Sequence, residues 1–226
     1  MIQYFKNIYA ENKRLKKDTL LLNEKDSLFY NFKEHKIIFI HIPKTAGVSI
    51  IKSLFNDKVK TGGHRNYIYL SKLFKDFNDY FKFTIVRNPW DRLFSAYNFL
   101  SKGGINIHDK NAFNMYLKNT LSFEDFVLNW INEENIFKII HFYPQYWFLK
   151  NRAGKINIDH IGYYEQLESS FKLLCNKFNF KNKLKHLNKN NVSLSYKDVY
   201  TDEMIDKVRL IYNLDIKLFK YSFDGN

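Results

Sequence analysis

The 226-residue chain contains one cysteine, three prolines and eight glycines. One cysteine excludes a disulfide framework and any zinc site built from several thiolates. Cys175, in the apolar stretch FKLLCNKF, reads as a small core residue. So little glycine and proline excludes a collagen-like chain or an array of flexible linkers. No stretch approaches the ~18 apolar residues of a membrane span. The longest apolar run with strand character is IIFI (37–40). The N-terminal segment MIQYFKNIYAENKRLKKDTLLL carries charges throughout and has no apolar core before a small-residue cleavage site, so it does not read as a secretory signal. The expectation is a soluble, cytoplasmic protein. Zinc-finger spacing, RNP signatures and heptad-linked basic regions are missing, so no nucleic-acid partner is expected. No His/Asp/Glu cluster has ligand spacing, so no metal is expected either.

What the chain has is apolar mass and positive charge. Hydrophobic residues make up 45% and aromatics 18%, enough to build a real core and to exclude wholesale disorder. The formal net charge is +13. Such a chain attracts anions: a phosphorylated cofactor, an acidic glycan or the face of an anionic membrane, to which the basic surface offers peripheral contact. Residues 1–30 read as a basic helix and linker, and 31–226 as one domain.

Three short apolar runs read as strands: KIIFIHI (36–42), FKFTIV (81–86) and HIGYY (160–164). Runs without polar alternation suit buried parallel strands. Helical spacing follows each one, in VSIIKSLFND, DRLFSAYNFL and EQLESSFKLLCNKF. The fold class is therefore α/β, with a short central parallel sheet flanked by helices. Asn88 precedes Pro89, which can open the next helix. GGINIHDK (103–110) reads as an exposed loop and SFEDFVLNWINE (122–133) as a helix capped by Ser122. Residues 201–219 read as one helix capped by Thr201.

Two segments carry chemistry. In FIHIPKTAGVSI (39–50) a strand runs into a loop and then a helix. Gly47 permits a tight turn, and amides at a helix start favour an anion. Lys44 adds a mobile charge, and Thr45 and Ser49 add hydroxyl donors. The GxxxxGK[ST] spacing of nucleoside-triphosphate loops is missing. In FTIVRNPWDRLFSAY (83–97), Arg87 ends the second strand and Ser95 lies on the following helix. If the two strands are parallel neighbours, Arg87 emerges at the same carboxyl edge as Lys44, where ligands of such sheets bind. Arg87 suits bidentate recognition of a phosphate.

PKTAGVS followed by RNPWDRLFSAY resembles the two cofactor signatures of carbohydrate sulfotransferases that use 3′-phosphoadenosine 5′-phosphosulfate (PAPS). The nearest group in pattern contains the heparan 2-O and chondroitin sulfotransferases and their bacterial relatives. The resemblance spans roughly residues 37–222. It implies a P-loop-like sulfotransferase domain, a PAPS donor, PAP as product, a carbohydrate or glycoconjugate acceptor and no metal. It also implies that Pro43, Lys44, Thr45, Ala46, Gly47, Val48 and Ser49 hold the 5′-phosphosulfate. Lys44 would stabilise charge on the bridging oxygen, while Arg87 and Ser95 grip the 3′-phosphate. Val48 stands where family members often carry Thr or Ser. HLNKNN (186–191) resembles a cofactor-covering loop, implicating Lys189.

A sugar hydroxyl needs a base, and a histidine near its ordinary pKa would serve. Seven histidines are present. His64 lies between the two signatures behind two glycines, in the interval where the heparan 2-O branch carries a catalytic histidine. His141, in HFYPQYWFL, resembles an H-x-x-P-Q stretch of several relatives and is the alternative base or an acceptor contact. Gln145 would hydrogen-bond a sugar, with Tyr143, Tyr146 and Trp147 packing beneath it. His41 faces either the sheet core or the cofactor. The rival readings are a nucleotide-dependent kinase and a non-catalytic basic module binding glycan or nucleic acid.

Overall fold

A computed structural model of the chain describes residues 2–185 and 194–225. Its centre is a three-stranded sheet, β1 (Ile37–Phe39), β2 (Phe81–Val86) and β3 (His160–Tyr163), in the order β1-β2-β3. All neighbours are parallel, with Ile37 opposite Phe81 and Val86 opposite Tyr163. The apolar runs follow from this arrangement: helices cover both faces, so β1 is buried at every position. Phe39 and Phe83 stack across the pair with ring centroids 4.7 Å apart. Thr84, also fully buried, donates its hydroxyl to the Ile40 carbonyl at 2.9 Å.

The helices before β2 are α1 (Ile2–Leu21), α2 (Leu28–His35), α3 (Gly47–Leu54) and α4 (Tyr67–Leu73). The linker expected up to residue 30 is shorter than that. Ser27 caps α2 by accepting from the Phe29 and Tyr30 amides, and Leu28, Phe29 and Phe32 bury its inner face. After β2 comes α5 (Pro89–Ser101), opened as expected by Pro89, with the Asn88 side chain accepting from the Trp90 amide. Among the described residues no helix is long and apolar enough to cross a membrane.

Three segments depart from the sequence reading. The exposed loop expected at 103–110 ends early: Asn106 caps α6 (Ile107–Tyr116), accepting from the amides of His108 and Asp109, and Asp109 is buried. The helix expected at 122–133 is one α turn, α7 (Phe123–Asp125), that widens into a π turn over Phe126–Trp130. Face-to-face contacts of the Phe126 ring with Tyr97 and Trp130 hold that turn. The helix expected at 201–219 breaks at Tyr212 into α10 (Asp202–Ile211) and α11 (Asn213–Phe219). Thr201 does cap α10, accepting from the Met204 amide. At the break, the buried Tyr212 hydroxyl donates to the Phe142 carbonyl at 2.7 Å. The fully buried Asp215 accepts from the amides of Gln145 and Tyr146, which start α8 (Gln145–Leu149). Periodicity conveys the apolar stripe of 201–219 but not these two polar anchors. The remaining long helix, α9 (Leu167–Phe178), follows β3 as its spacing predicts.

Candidate active site

The loop leaving β1 is bent by two residues that are not glycine. Lys44 (φ 69°) and Ala46 (φ 63°) both adopt left-handed backbone angles, with Thr45 between them. Such residues cost about 1–3 kcal/mol each and persist where the surroundings over-determine them. Alternating handedness gathers backbone N–H groups into a concavity suited to anions. The Thr45 hydroxyl closes the turn by donating to the Ile42 carbonyl at 3.0 Å, and the residue is fully buried. That hydroxyl proton, expected to serve a ligand, is thus used within the loop. Gly47 opens α3 against the His41 ring, and any Cβ there would overlap that ring. Ser49 is buried in the first turn of α3, while Val48 stays partly exposed.

Arg87 emerges at the same sheet edge. Its Nε and Nη2 donate to the two carboxylate oxygens of Asp91, each at 2.8 Å, and its Nη1 donates to the Lys44 carbonyl at 3.0 Å. The Tyr164 ring lies against it, 4.0 Å from centroid to guanidinium carbon. Three of the five N–H groups of an arginine are thus engaged, which leaves two for a ligand. Ser95 is buried on α5. Deeper still, Arg92 donates from Nε to the Pro43 carbonyl and from Nη2 to the His141 carbonyl, joining two segments far apart in sequence.

Three histidines converge on this edge. The His64 ring is 4.4 Å from that of His41 and 6.1 Å from that of His141. His64 Nδ1 is 3.0 Å from the His41 carbonyl. A carbonyl only accepts, so Nδ1 carries the proton and Nε2 presents a lone pair. Burial lowers His64 to about 4, aided by Arg92 and Arg65 and opposed by the His41 hydrogen bond and Asp109. His141 falls to about 3 through burial and the nearby His64, Lys44 and Arg92. His41 is pushed well down by burial first, then by the other two histidines. All three are shifted below the ordinary histidine value near which a base was expected, burial being the leading cause in each. The Lys44 ammonium sits over the Phe99 ring at 4.1 Å. Burial and then Arg87 lower it to about 8, against the opposing pull of Asp109.

Asp109, Arg92, Phe99 and Tyr164 were not singled out by sequence reasoning. Arg92 stands inside RNPWDRLFSAY and was within reach. Asp109 sits in a segment whose glycines and polar residues signal only a loop, yet its Oδ1 lies 4.0 Å from His141 Nε2. Gln145, expected to hydrogen-bond a sugar, is fully buried; its side chain accepts from the Arg87 amide and donates to the Arg87 carbonyl, so it braces Arg87. Tyr143 and Trp147 are partly exposed and pack edge to face, centroids 4.9 Å apart; Tyr146 is also partly exposed. Lys189 and the 186–191 segment lie outside the described residues.

The Gly47 contact is directly testable. Gly47→Ala forces the ring of His41 or the loop itself to move, an overpacking that costs roughly 1–3 kcal/mol. Thermal denaturation should show a fall of several degrees in Tm. A parental Tm would mean that the His41 ring can swing away freely.

One protein family, described as the sulfotransferase family, has a model that matches residues 27–222. A search of the curated proteins and a search of the solved structures each give no match. The match takes in β1, the Lys44 loop, Arg87, the three histidines and the helices that brace them. With both signature loops at one edge of a parallel sheet and a family match over most of its length, the chain belongs to the sulfotransferase family.

Proposed function

We propose that this protein moves a sulfuryl group from PAPS to a hydroxyl of a carbohydrate or glycoconjugate, releasing PAP. The observation that supports the reading is the hydrogen bond from Arg87 Nη1 to the Lys44 carbonyl, which sets the Arg87 guanidinium beside the Lys44 loop. PAPS supplies the sulfuryl group and the leaving group. The chain supplies everything else. The concave 43–49 loop and the start of α3 receive the 5′-phosphosulfate. Lys44, still charged at neutral pH, stabilises the negative charge that builds on the bridging oxygen. Arg87, with two free N–H groups and a bracing carboxylate, takes the 3′-phosphate together with Ser95.

His64 is the base in this reading. Its Nδ1–H is fixed to the His41 carbonyl, so Nε2 is free to take the acceptor proton as the hydroxyl oxygen attacks sulfur. His64 is also partly exposed, whereas His141 is 8% exposed and faces Asp109. His141 and Lys44 line the floor, and the exposed edges of Tyr143, Tyr146 and Trp147 offer apolar surface to a sugar ring.

The donor is tested by thermal shift with PAP, ATP and a short oligonucleotide. Selective stabilisation by PAP is expected; stabilisation by ATP or the oligonucleotide instead would contradict the reading. In calorimetry, Arg87→Ala should weaken PAP far more than adenosine 5′-phosphosulfate, which lacks the 3′-phosphate. Equal weakening of both would move Arg87 off that phosphate.

The base makes a second prediction. His64→Ala should bind PAP normally and lose about 10²–10⁴-fold in turnover. A base acts only when deprotonated, so activity is lost as pH falls through its pKa. With His64 lowered to about 4 and Lys44 to about 8, kcat/KM for PAPS should be flat between about pH 5 and 7. It should fall on the acid side below that and on the alkaline side through about 8. An acid limb at the ordinary histidine value of ~6.5 would contradict the buried-base assignment.

A further inference from the structure

Asp18 lies on α1, ahead of the family match, which begins at residue 27. Lys13, Arg14, Lys16 and Lys17 of α1 are exposed, but the side chain of Asp18 is 3% exposed. Its Oδ2 accepts from Arg65 Nε at 2.8 Å and from the Tyr69 hydroxyl at 2.7 Å. Burial and the Asp18 carboxylate push the Tyr69 phenol up to about 12, so it remains a donor at any ordinary pH. Two further contacts join the same elements. Arg14 lies over the Tyr69 ring at 4.7 Å, and Glu11 pairs with Lys72 at 2.6 Å. Residues 11, 14 and 18 fall on one helical face, so α1 grips α4 and the residue before its cap along several turns.

The gripped residue, Arg65, directly follows His64. On the other side of His64 stand Gly62 and Gly63, both left-handed (φ 68° and 71°). Neither has a side chain with which to anchor the loop. Besides its ring contacts with His41 and His141, His64 is tied by its own Nδ1 to the His41 carbonyl and through its neighbour Arg65 to α1. A catalytic group has to be held within about 0.5 Å of its productive place by packing and supporting hydrogen bonds.

We propose that α1 is a latch on the His64 loop, with Asp18 a positioning residue that fixes His64 through Arg65. This rests on the reading of His64 as the base. The latch works from outside the sulfuryl-transfer site, because Asp18 and Arg65 hold the loop from the side facing α1. The charged and titratable groups around His64 itself are Arg65, Arg92, Asp109, His41 and His141.

The test uses the full chain with Asp18→Asn and, as a second variant that keeps the charge, Arg65→Lys. Histidine-selective ¹⁵N NMR reads the tautomer and titration of His64, with His64→Ala assigning its signal. In the parent, His64 should be the Nδ1–H tautomer and stay neutral down to about pH 5. Both variants should populate the second tautomer and titrate closer to the ordinary ~6.5. PAP affinity should be retained, and sulfuryl-transfer turnover should fall up to about 10²-fold, as expected for a misplaced group. An unchanged His64 tautomer and titration in both variants overturns the latch. If both variants release His64 while His64→Ala transfers sulfate normally, the latch stands and the base assignment falls.

Discussion

The guanidinium of Arg92 is buried, and the site is organised over it. An arginine in that position needs partners, because an unpaired buried charge costs several kcal/mol. It finds two carbonyls, Pro43 in the loop after β1 and His141 before α8. Those two bonds set the distance between the Lys44 loop and the His141 segment. Asp215, on α11, adds a compensating negative charge and at the same time caps α8 through the amides of Gln145 and Tyr146. Gln145 in turn holds both backbone groups of Arg87. A continuous polar chain therefore runs from the C-terminal helix, beneath the sheet edge, to the residue assigned to the 3′-phosphate. Such networks stabilise only when every member is satisfied.

Over that base the site uses burial to tune its chemistry. Three histidines lowered from the ordinary imidazole value and a lysine lowered to about 8 stand together at the sheet edge. Each shift has burial as its leading cause. An anion held beside these groups would favour their charged forms. Asp109 acts in the same direction on Lys44, favouring its charged form.

Much of this was legible in the sequence. Short, mostly apolar runs located the three strands of the described residues, because parallel strands covered on both faces are largely apolar. Lys44 and Arg87 meet at one sheet edge, as their places in the segments after β1 and at the end of β2 led one to expect. Gln145 was read for its polarity, but nothing in the chain reveals that both ends of its amide meet Arg87. Asp109 and Asp18 were invisible for the same reason: a buried carboxylate on a polar helix looks like any solvated one until its partners are brought in from distant segments. The break at Tyr212 escaped because a hydroxyl reaching Phe142 leaves no mark on periodicity.

The central claim is that Lys44 and its loop catalyse sulfuryl transfer. Labelled sulfate from PAPS, offered with polysaccharide and glycolipid fractions, measures it most directly in the parent and in Lys44→Ala. The account predicts label on a carbohydrate hydroxyl in the parent and at least ~10²-fold slower transfer by a folded, PAP-binding Lys44→Ala. Transfer at the parental rate by that variant, or no labelled carbohydrate from the parent, would contradict it.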